Sequence, residues 1–228
     1  MKSNNRRSAA EPRRRILVVD DHPMTRYGII QLINEQPDLV ACGEAGDAER
    51  ALAAIASARP DLVLADITLP GKSGLDFVRE LRVQHPEVAV LVMSMHDESL
   101  YAERVLRAGG RGYVMKTEGG GKLLEAVREV LQGRVYVSGK ITSNLLAGLA
   151  RHRKRSEENK PAALTDREFE VFQLLGQGLS TGEIAQRLSL SPKTVGIHRL
   201  HIKEKLGLRT GHDLIRQAIQ WAATQQLY

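Results

Sequence analysis

The chain contains little that could cross-link it, export it or hold it in a membrane. One cysteine, Cys42, occurs in 228 residues, which excludes an internal disulfide and a cysteine-based zinc site. Its place in an apolar run predicts a small buried hydrophobe. The longest apolar runs, such as Ile16-Leu17-Val18-Val19 and Val88 to Met93, fall far short of the roughly 20 residues a membrane-spanning helix needs. The N-terminus is basic through Arg6, Arg7, Arg13, Arg14 and Arg15, yet Asp20 and Asp21 interrupt the apolar run behind it, so no secretory segment is expected. A soluble, cytoplasmic protein without a membrane partner is the expectation. Repeats and extended low-complexity tracts are also missing.

What is present is enough chain for two cores: 228 residues with 42% hydrophobic content. The formal net charge of +6 is unevenly spread, at +5 over residues 1–15, −4 over 16–150, +3 over 151–160 and +2 over 161–228. An acidic first half and basic connections leave room for a polyanionic partner of the second half, although solvated arginine tails are common.

From Ile16 to about Leu131, short apolar runs alternate with segments of helical period, the pattern of βα units feeding a parallel sheet. The runs predict strands near 15–19, 39–44, 61–65, 88–92 and 112–115, with helices near 23–35, 47–58, 74–84, 98–108 and 119–131. Residues 132–163 read as a linker with a short helix around Ile141 to Leu149, followed by the polar run Arg151 to Lys160 and Pro161, which has nothing to bury. The expected division is a basic disordered tail over 1–14, a first domain over 15–131, that linker, and a helical domain over 164–228. Helices are expected near 165–176, opened by Thr165 with Glu168 three residues on, and near 180–188, 191–206 and 211–224.

In an open parallel sheet, ligands gather beyond the carboxyl ends of the strands. The first strand ends in Asp20-Asp21, the third in Asp66 and the fourth in Ser94, while the fifth runs into Lys116. Converging carboxylates repel one another, and a hard divalent cation, Mg²⁺ above all, relieves that repulsion. A carboxylate can also attack phosphorus to form an acyl phosphate if the developing charge is neutralised. Asp66 is placed to attack, Asp20 and Asp21 to hold Mg²⁺, Lys116 to pair with phosphoryl oxygens and Ser94 to donate a hydrogen bond. Each residue alone has an ordinary structural reading, Asp21 as a helix cap, Lys116 solvated and Ser94 a loop hydroxyl; the joint pattern favours the chemistry.

The stretches ILVVDDHPMTRYGI, DLVLADITLPGKSGLDFVREL, VLVMSMHDE and GRGYVMKTEG together resemble a response-regulator receiver over residues 15–131. The resemblance implies a flavodoxin-like (βα)5 fold with sheet order 2-1-3-4-5 and Asp66 as phosphoacceptor. It implies a metal held by Asp20, Asp21, Asp66 and the backbone carbonyl of Thr68, and a phosphate switch of Ser94, Lys116 and Tyr113. In such receivers phosphate draws the hydroxyl inward and the aromatic follows, remodelling the surface around the fourth helix and fifth strand. Many receivers carry proline after the lysine, where this chain has Thr117. Thr68 and His96 lie two residues past Asp66 and Ser94, positions that influence how fast the acyl phosphate hydrolyses.

In the C-terminal segment Gly176, Gly178 and Ser180 break one helix, and Ser191-Pro192 opens another with serine as cap and proline in the first turn. Val195, Ile202 and Leu206 share a face expected inward; Lys193, Arg199, Lys203 and Lys205 supply cations of the kind a helix in a major groove requires. The modest charge leaves open, as the lesser reading, a helical dimerisation module with an ordinary wet face. The run LTDREFEVFQLLGQGLSTGEIAQRLSLSPKTVGIHRLHIKEKLGL resembles the LuxR-type helix-turn-helix of NarL/FixJ regulators, which implies an all-α four-helix DNA-binding domain. Candidate DNA contacts are Lys193, Thr194, Ile197, His198, Arg199 and Lys203, mostly to phosphate, with Ile197 free to touch a thymine methyl. Gly196 and Leu200 stand where many relatives carry polar or basic residues, and Thr181-Gly182 replaces the usual Asn-Lys. His198 and His201, three apart without an acidic or cysteine partner nearby, do not suggest a metal site. Leu214, Ile215, Ala218 and Ile219 form an apolar stripe that is either a dimer contact, as the resemblance implies, or core packing.

The resemblance therefore predicts a two-component response regulator phosphorylated on Asp66 by a sensor histidine kinase, dimerising when phosphorylated and binding promoter DNA. Its only enzymatic chemistry would be Mg²⁺-dependent self-phosphorylation and self-dephosphorylation. Two other readings stay open: an enzyme acting on phosphorylated small molecules, disfavoured by the lack of a second catalytic cleft in the sequence, and a signalling adaptor that no longer binds DNA, favoured by Gly196 and Leu200.

Overall fold

The computed structural model describes residues 12–70, 72–143 and 164–225. The polar run 151–161 and the expected helix beyond residue 143 lie outside them, although a helical stretch begins at residue 139.

Five parallel strands, β1 (Arg14–Val19), β2 (Leu39–Ala45), β3 (Leu62–Asp66), β4 (Ala89–Ser94) and β5 (Gly112–Met115), pair in the order β2-β1-β3-β4-β5. Both faces of the sheet are covered, which is why its strands are nearly continuous apolar runs rather than alternating ones. Ile16, Val18, Leu62, Leu64, Leu91 and Met93 point to one side, where α1 (Pro23–Asn34) and α5 (Gly120–Leu131) bring Ile29, Ile33, Leu123 and Val127. The intervening residues Leu17, Val19, Val63, Ala65, Val90 and Val92 point to the other, against α2 (Ala48–Ala58), α3 (Gly74–Gln84) and α4 (Glu98–Ala108). The period of two in strand side chains thus sorts one sequence pattern into two core layers.

Local chemistry sets the helix boundaries. Asp47, Ser73 and Asp97 cap α2, α3 and α4 by accepting from backbone amides in the first turn, and Gly109 takes the left-handed conformation that ends α4 (φ +104°). At Gly74 a β-carbon would lie 2.3 Å from the Ile67 carbonyl oxygen, so only glycine lets the loop after β3 fold back onto its own start. After β5 a short 3-10 turn, Lys116–Glu118, leads into α5, and the returning chain adds a parallel bridge between Tyr136 and Gly112 at the sheet edge.

The second unit is helical: α6 (Asp166–Gly176), α7 (Thr181–Arg187), α8 (Pro192–Leu206) and α9 (Gly211–Gln225). Thr165 with Glu168 and Ser180 with Glu183 form reciprocal capping boxes, and Ser191 caps α8 ahead of Pro192. Val195, Ile202 and Leu206 are buried as their spacing predicts. Helix α9 crosses α6 so closely that a β-carbon on Gly176 would sit 2.6 Å from the Ala218 carbonyl oxygen. Among the described residues, no helix is long and apolar enough to cross a membrane.

Candidate functional site

Strand order places the acidic residues. β1 and β3 are neighbours in the sheet although a helix-strand-helix segment separates them in sequence, so Asp20, just past β1, and Asp66, the last residue of β3, lie side by side where the connections diverge to opposite faces. Both are buried, as is Ser94 at the end of β4. Lys116, just past β5, reaches across and donates to Asp20 Oδ2 and Asp66 Oδ2, each at 2.7 Å. Burial alone lowers the tendency of Lys116 to stay charged, but the two carboxylates outweigh it and hold the ammonium above the ordinary lysine value. For Asp66 burial is the largest influence and raises the carboxyl, against the pull of Lys116 and of a backbone donor, Thr68 N, at 3.2 Å from Oδ1.

Asp21 is exposed at the mouth of the pocket. His22, which the sequence reading passed over, joins the cluster: its Nδ1 lies 2.7 Å from Asp21 Oδ1, and its amide donates to Asp20 Oδ1 at 2.8 Å. Ligand atoms of Asp20, Asp21, His22 and Asp66 all fall within 4.8 Å of one another, which suits one small ion. The donors are chiefly carboxylate oxygens, the set a hard cation such as Mg²⁺ prefers. The adjacency of His22 to Asp20-Asp21 was the signal for it.

The remaining residues of the expected switch line the opposite wall. Ser94 Oγ accepts from the His96 amide at 3.0 Å, and Tyr113 is buried with its hydroxyl donating to the His96 carbonyl at 2.8 Å. Burial pushes the Tyr113 phenol well above its usual range, so it stays protonated and can donate to that carbonyl. Thr68 Oγ1 and His96 Nε2 lie 3.4 Å apart, bridging the loops after β3 and β4.

Two families account for most of the chain: "Response regulator receiver domain" matches residues 16–128, and "Bacterial regulatory proteins, luxR family" matches residues 162–218. The chain is a LuxR-family response regulator. It is 34% identical over 211 residues to the "Oxygen regulatory protein NreC" of Staphylococcus haemolyticus (strain JCSC1435), covering 90% of this chain and 97% of that one. A solved LuxR-family two-component response regulator from Aurantimonas sp. SI85-9A1 shares 33% identity and a TM-score of 0.56 over 61% of this chain and 99% of that one. The fold alone is shared with RcsB from Salmonella enterica serovar Typhimurium, solved on promoter P1flhDC with the phosphomimetic BeF3⁻, at 20% identity and a TM-score of 0.62 over 91% and 98% of the two chains.

In the DNA-binding domain of this regulator the candidate contacts are unequally available. Lys193 is exposed, as is Ile197, while Lys203 is half-buried. Thr194 is occupied at the cap of α8, its Oγ1 2.8 Å from Ser191 Oγ. Arg199 donates to Thr181 Oγ1, so the residue in the usual asparagine position ties α8 to α7. Burial, and then the charge of Arg167, holds His198 below the ordinary histidine value, leaving its ring neutral at neutral pH. Lys205 is held by Glu168 at 2.7 Å. The expected dimer stripe needs correction. Leu214 and Ala218 are fully buried in the domain's own core, because residues four apart on α9 both face α6; Ile215 is half-buried and Ile219 is exposed.

Proposed function

We propose that the receiver takes a phosphoryl group on Asp66 Oδ from a histidine kinase and that this controls promoter binding by the helical domain, in the cytoplasm. The observation that carries the reading is the pairing of one lysine with two buried carboxylates beside an exposed third. Asp66 Oδ attacks phosphorus in line; the bond from phosphorus to the donor nitrogen breaks, and the leaving imidazole retains the electron pair and gains a proton. Lys116 is already held against the nucleophile's carboxylate and is placed to pair with the transferred oxygens, and the buried Ser94 hydroxyl at the end of β4 is the hydrogen-bond donor to them. Asp20, Asp21, Asp66 and the Thr68 carbonyl would hold Mg²⁺, which supplies neutralisation of the phosphoryl charge. Hydrolysis reverses the bond change with water as acceptor, so the receiver catalyses only its own modification. This role for promoter DNA is supported by the exposed end of α8, with Lys193 and Ile197 outward, and by RcsB having been solved on a promoter. Ile219 and Ile215 remain the outward part of α9 for contact with a second copy.

Incubation with radiolabelled acetyl phosphate and Mg²⁺ tests the phosphoacceptor. The wild-type chain takes up label that is lost in hydroxylamine; Asp66→Asn takes up none while keeping its circular dichroism spectrum. Label retained in Asp66→Asn refutes the assignment.

A further inference from the structure

The receiver and the helical domain are docked through one face of α6. Asp166, at the start of that helix and buried, is clasped by Arg79 of α3 and by Arg104 of α4, the latter at 2.8 Å. Ser73 donates to Glu170 at 2.6 Å, and Tyr101 donates to Gln173. Phe169 meets Tyr101 edge-on with ring centres 5.5 Å apart, and the Arg104 guanidinium lies 4.2 Å from the centre of the Phe169 ring. Asp166, Phe169, Glu170 and Gln173 stand three and four residues apart, so they share one face of the helix.

The opposite face of α6 belongs to the helical domain itself. Glu168, Val171, Phe172 and Leu175 are buried there, about half a turn round from the docking residues. Lys205 of α8 donates to Glu168 at 2.7 Å, and Trp221 of α9 packs on Phe172 with ring centres 5.6 Å apart. Helix α6 therefore stands between the receiver and α8. Val195 and Ile202 of α8 turn inward and Arg199 is tied to Thr181 of α7, while Lys193, Ile197 and Leu200 face outward, the last two 46% and 48% exposed with the receiver in place. The cleft beside the interface reaches Arg187 and Leu188 at the end of α7, with Thr68 and His96 on the receiver side, and stops short of α8. Ser191, Pro192 and Lys193, where α8 begins, are exposed.

From this geometry we infer that docking presents the recognition helix rather than masking it: the unphosphorylated chain meets DNA with its two domains still docked, and release of the helical domain is not the step that phosphorylation controls. The inference rests on α8 as the helix that contacts DNA. A receiver that covered α8 would lower the apparent affinity by the fraction of chains undocked at any moment, and loosening the interface would restore it. With the receiver on the far face of α6, loosening frees nothing that DNA needs.

The test loosens the interface in the full-length chain from either side, by D166N and by R79Q/R104Q. The first removes a negative charge and the second two positive ones, so an effect common to both does not come from net charge. Energy transfer from Trp221, the single tryptophan, to an acceptor attached through V83C in a C42A background reports docking, and it should fall in both variants. Affinity is then read by fluorescence anisotropy, without a phosphoryl donor, on a duplex that the parent chain selects from a random-sequence pool at low salt. Neither variant should bind more than about fivefold tighter than the parent, because no masked fraction is released. A greater rise in either variant overturns the inference and leaves α8 as the DNA-contacting helix. Energy transfer unchanged in both variants overturns the docked arrangement on which the inference stands. Failure of the parent chain to enrich any duplex overturns the DNA-binding reading and the inference together.

Discussion

The pocket at the strand ends and the outward face of α8 carry charge in opposite ways. In the pocket, Lys116 meets Asp20 and Asp66 at matched distances of 2.7 Å, with both carboxylates buried, so the groups are oriented before any phosphoryl group arrives. On α8, exposed Lys193 makes no ion pair among the described residues, Arg199 is tied to Thr181, and His198 is half-buried and neutral. Preorganisation suits a step whose charge appears at one point, whereas a helix meeting phosphates along a groove needs charge that is free to adjust. The difference teaches that the receiver's residues are coupled, and act as a unit, while those of α8 act more nearly one at a time.

The strongest way to break this contrast is Lys116→Ala. It leaves two buried carboxylates facing each other without a cation, and by the cost of removing one partner from a buried pair it should destabilise the receiver by about 3 kcal/mol. Because a divalent cation replaces the lost charge, Mg²⁺ should recover part of that loss in urea denaturation, and a variant as stable as wild type in the absence of Mg²⁺ would show that the pocket is not coupled.

Asp66→Asn should have a smaller effect and the opposite sign. Burial raises the Asp66 carboxyl above its usual 3.8. A raised folded value means that the stabilising contribution is complete below 3.8 and is lost as pH rises through the raised value, so at neutral pH the ionised side chain costs stability. The amide carries no charge and still leaves Lys116 paired with Asp20. Calorimetry should therefore find the variant melting above wild type at pH 7.5, with the difference closing as pH approaches 3.8; an equal or lower midpoint at pH 7.5 contradicts the burial argument.

The two regions also differed in how far they could be read from sequence. Asp20, Asp66, Ser94 and Lys116 stand immediately after or at the end of apolar runs, and parallel order brings the ends of β1, β3, β4 and β5 to one edge, so the pattern alone located the pocket. The caps of α6 and α8 followed from the same local rules, whereas the sheet order was implied only by the family resemblance. On α9 the stripe Leu214, Ile215, Ala218 and Ile219 is two residues wide, and amphipathic period does not tell which edge a neighbouring helix covers; the close approach at Gly176 decides it in favour of Leu214 and Ala218. The docking contacts were invisible for a different reason. Tyr101 and Gln173, or Arg104 and Asp166, are 72 and 62 residues apart, lie in different domains, and read as ordinary helix-surface residues until the partner surface is known.

The most direct test of the central claim is the affinity of the full-length chain for promoter DNA, measured by fluorescence anisotropy at one fixed salt concentration with and without acetyl phosphate and Mg²⁺. Control by Asp66 predicts tighter binding after phosphorylation in wild type and no change in Asp66→Asn. Equal affinity of labelled and unlabelled wild-type chain would contradict it.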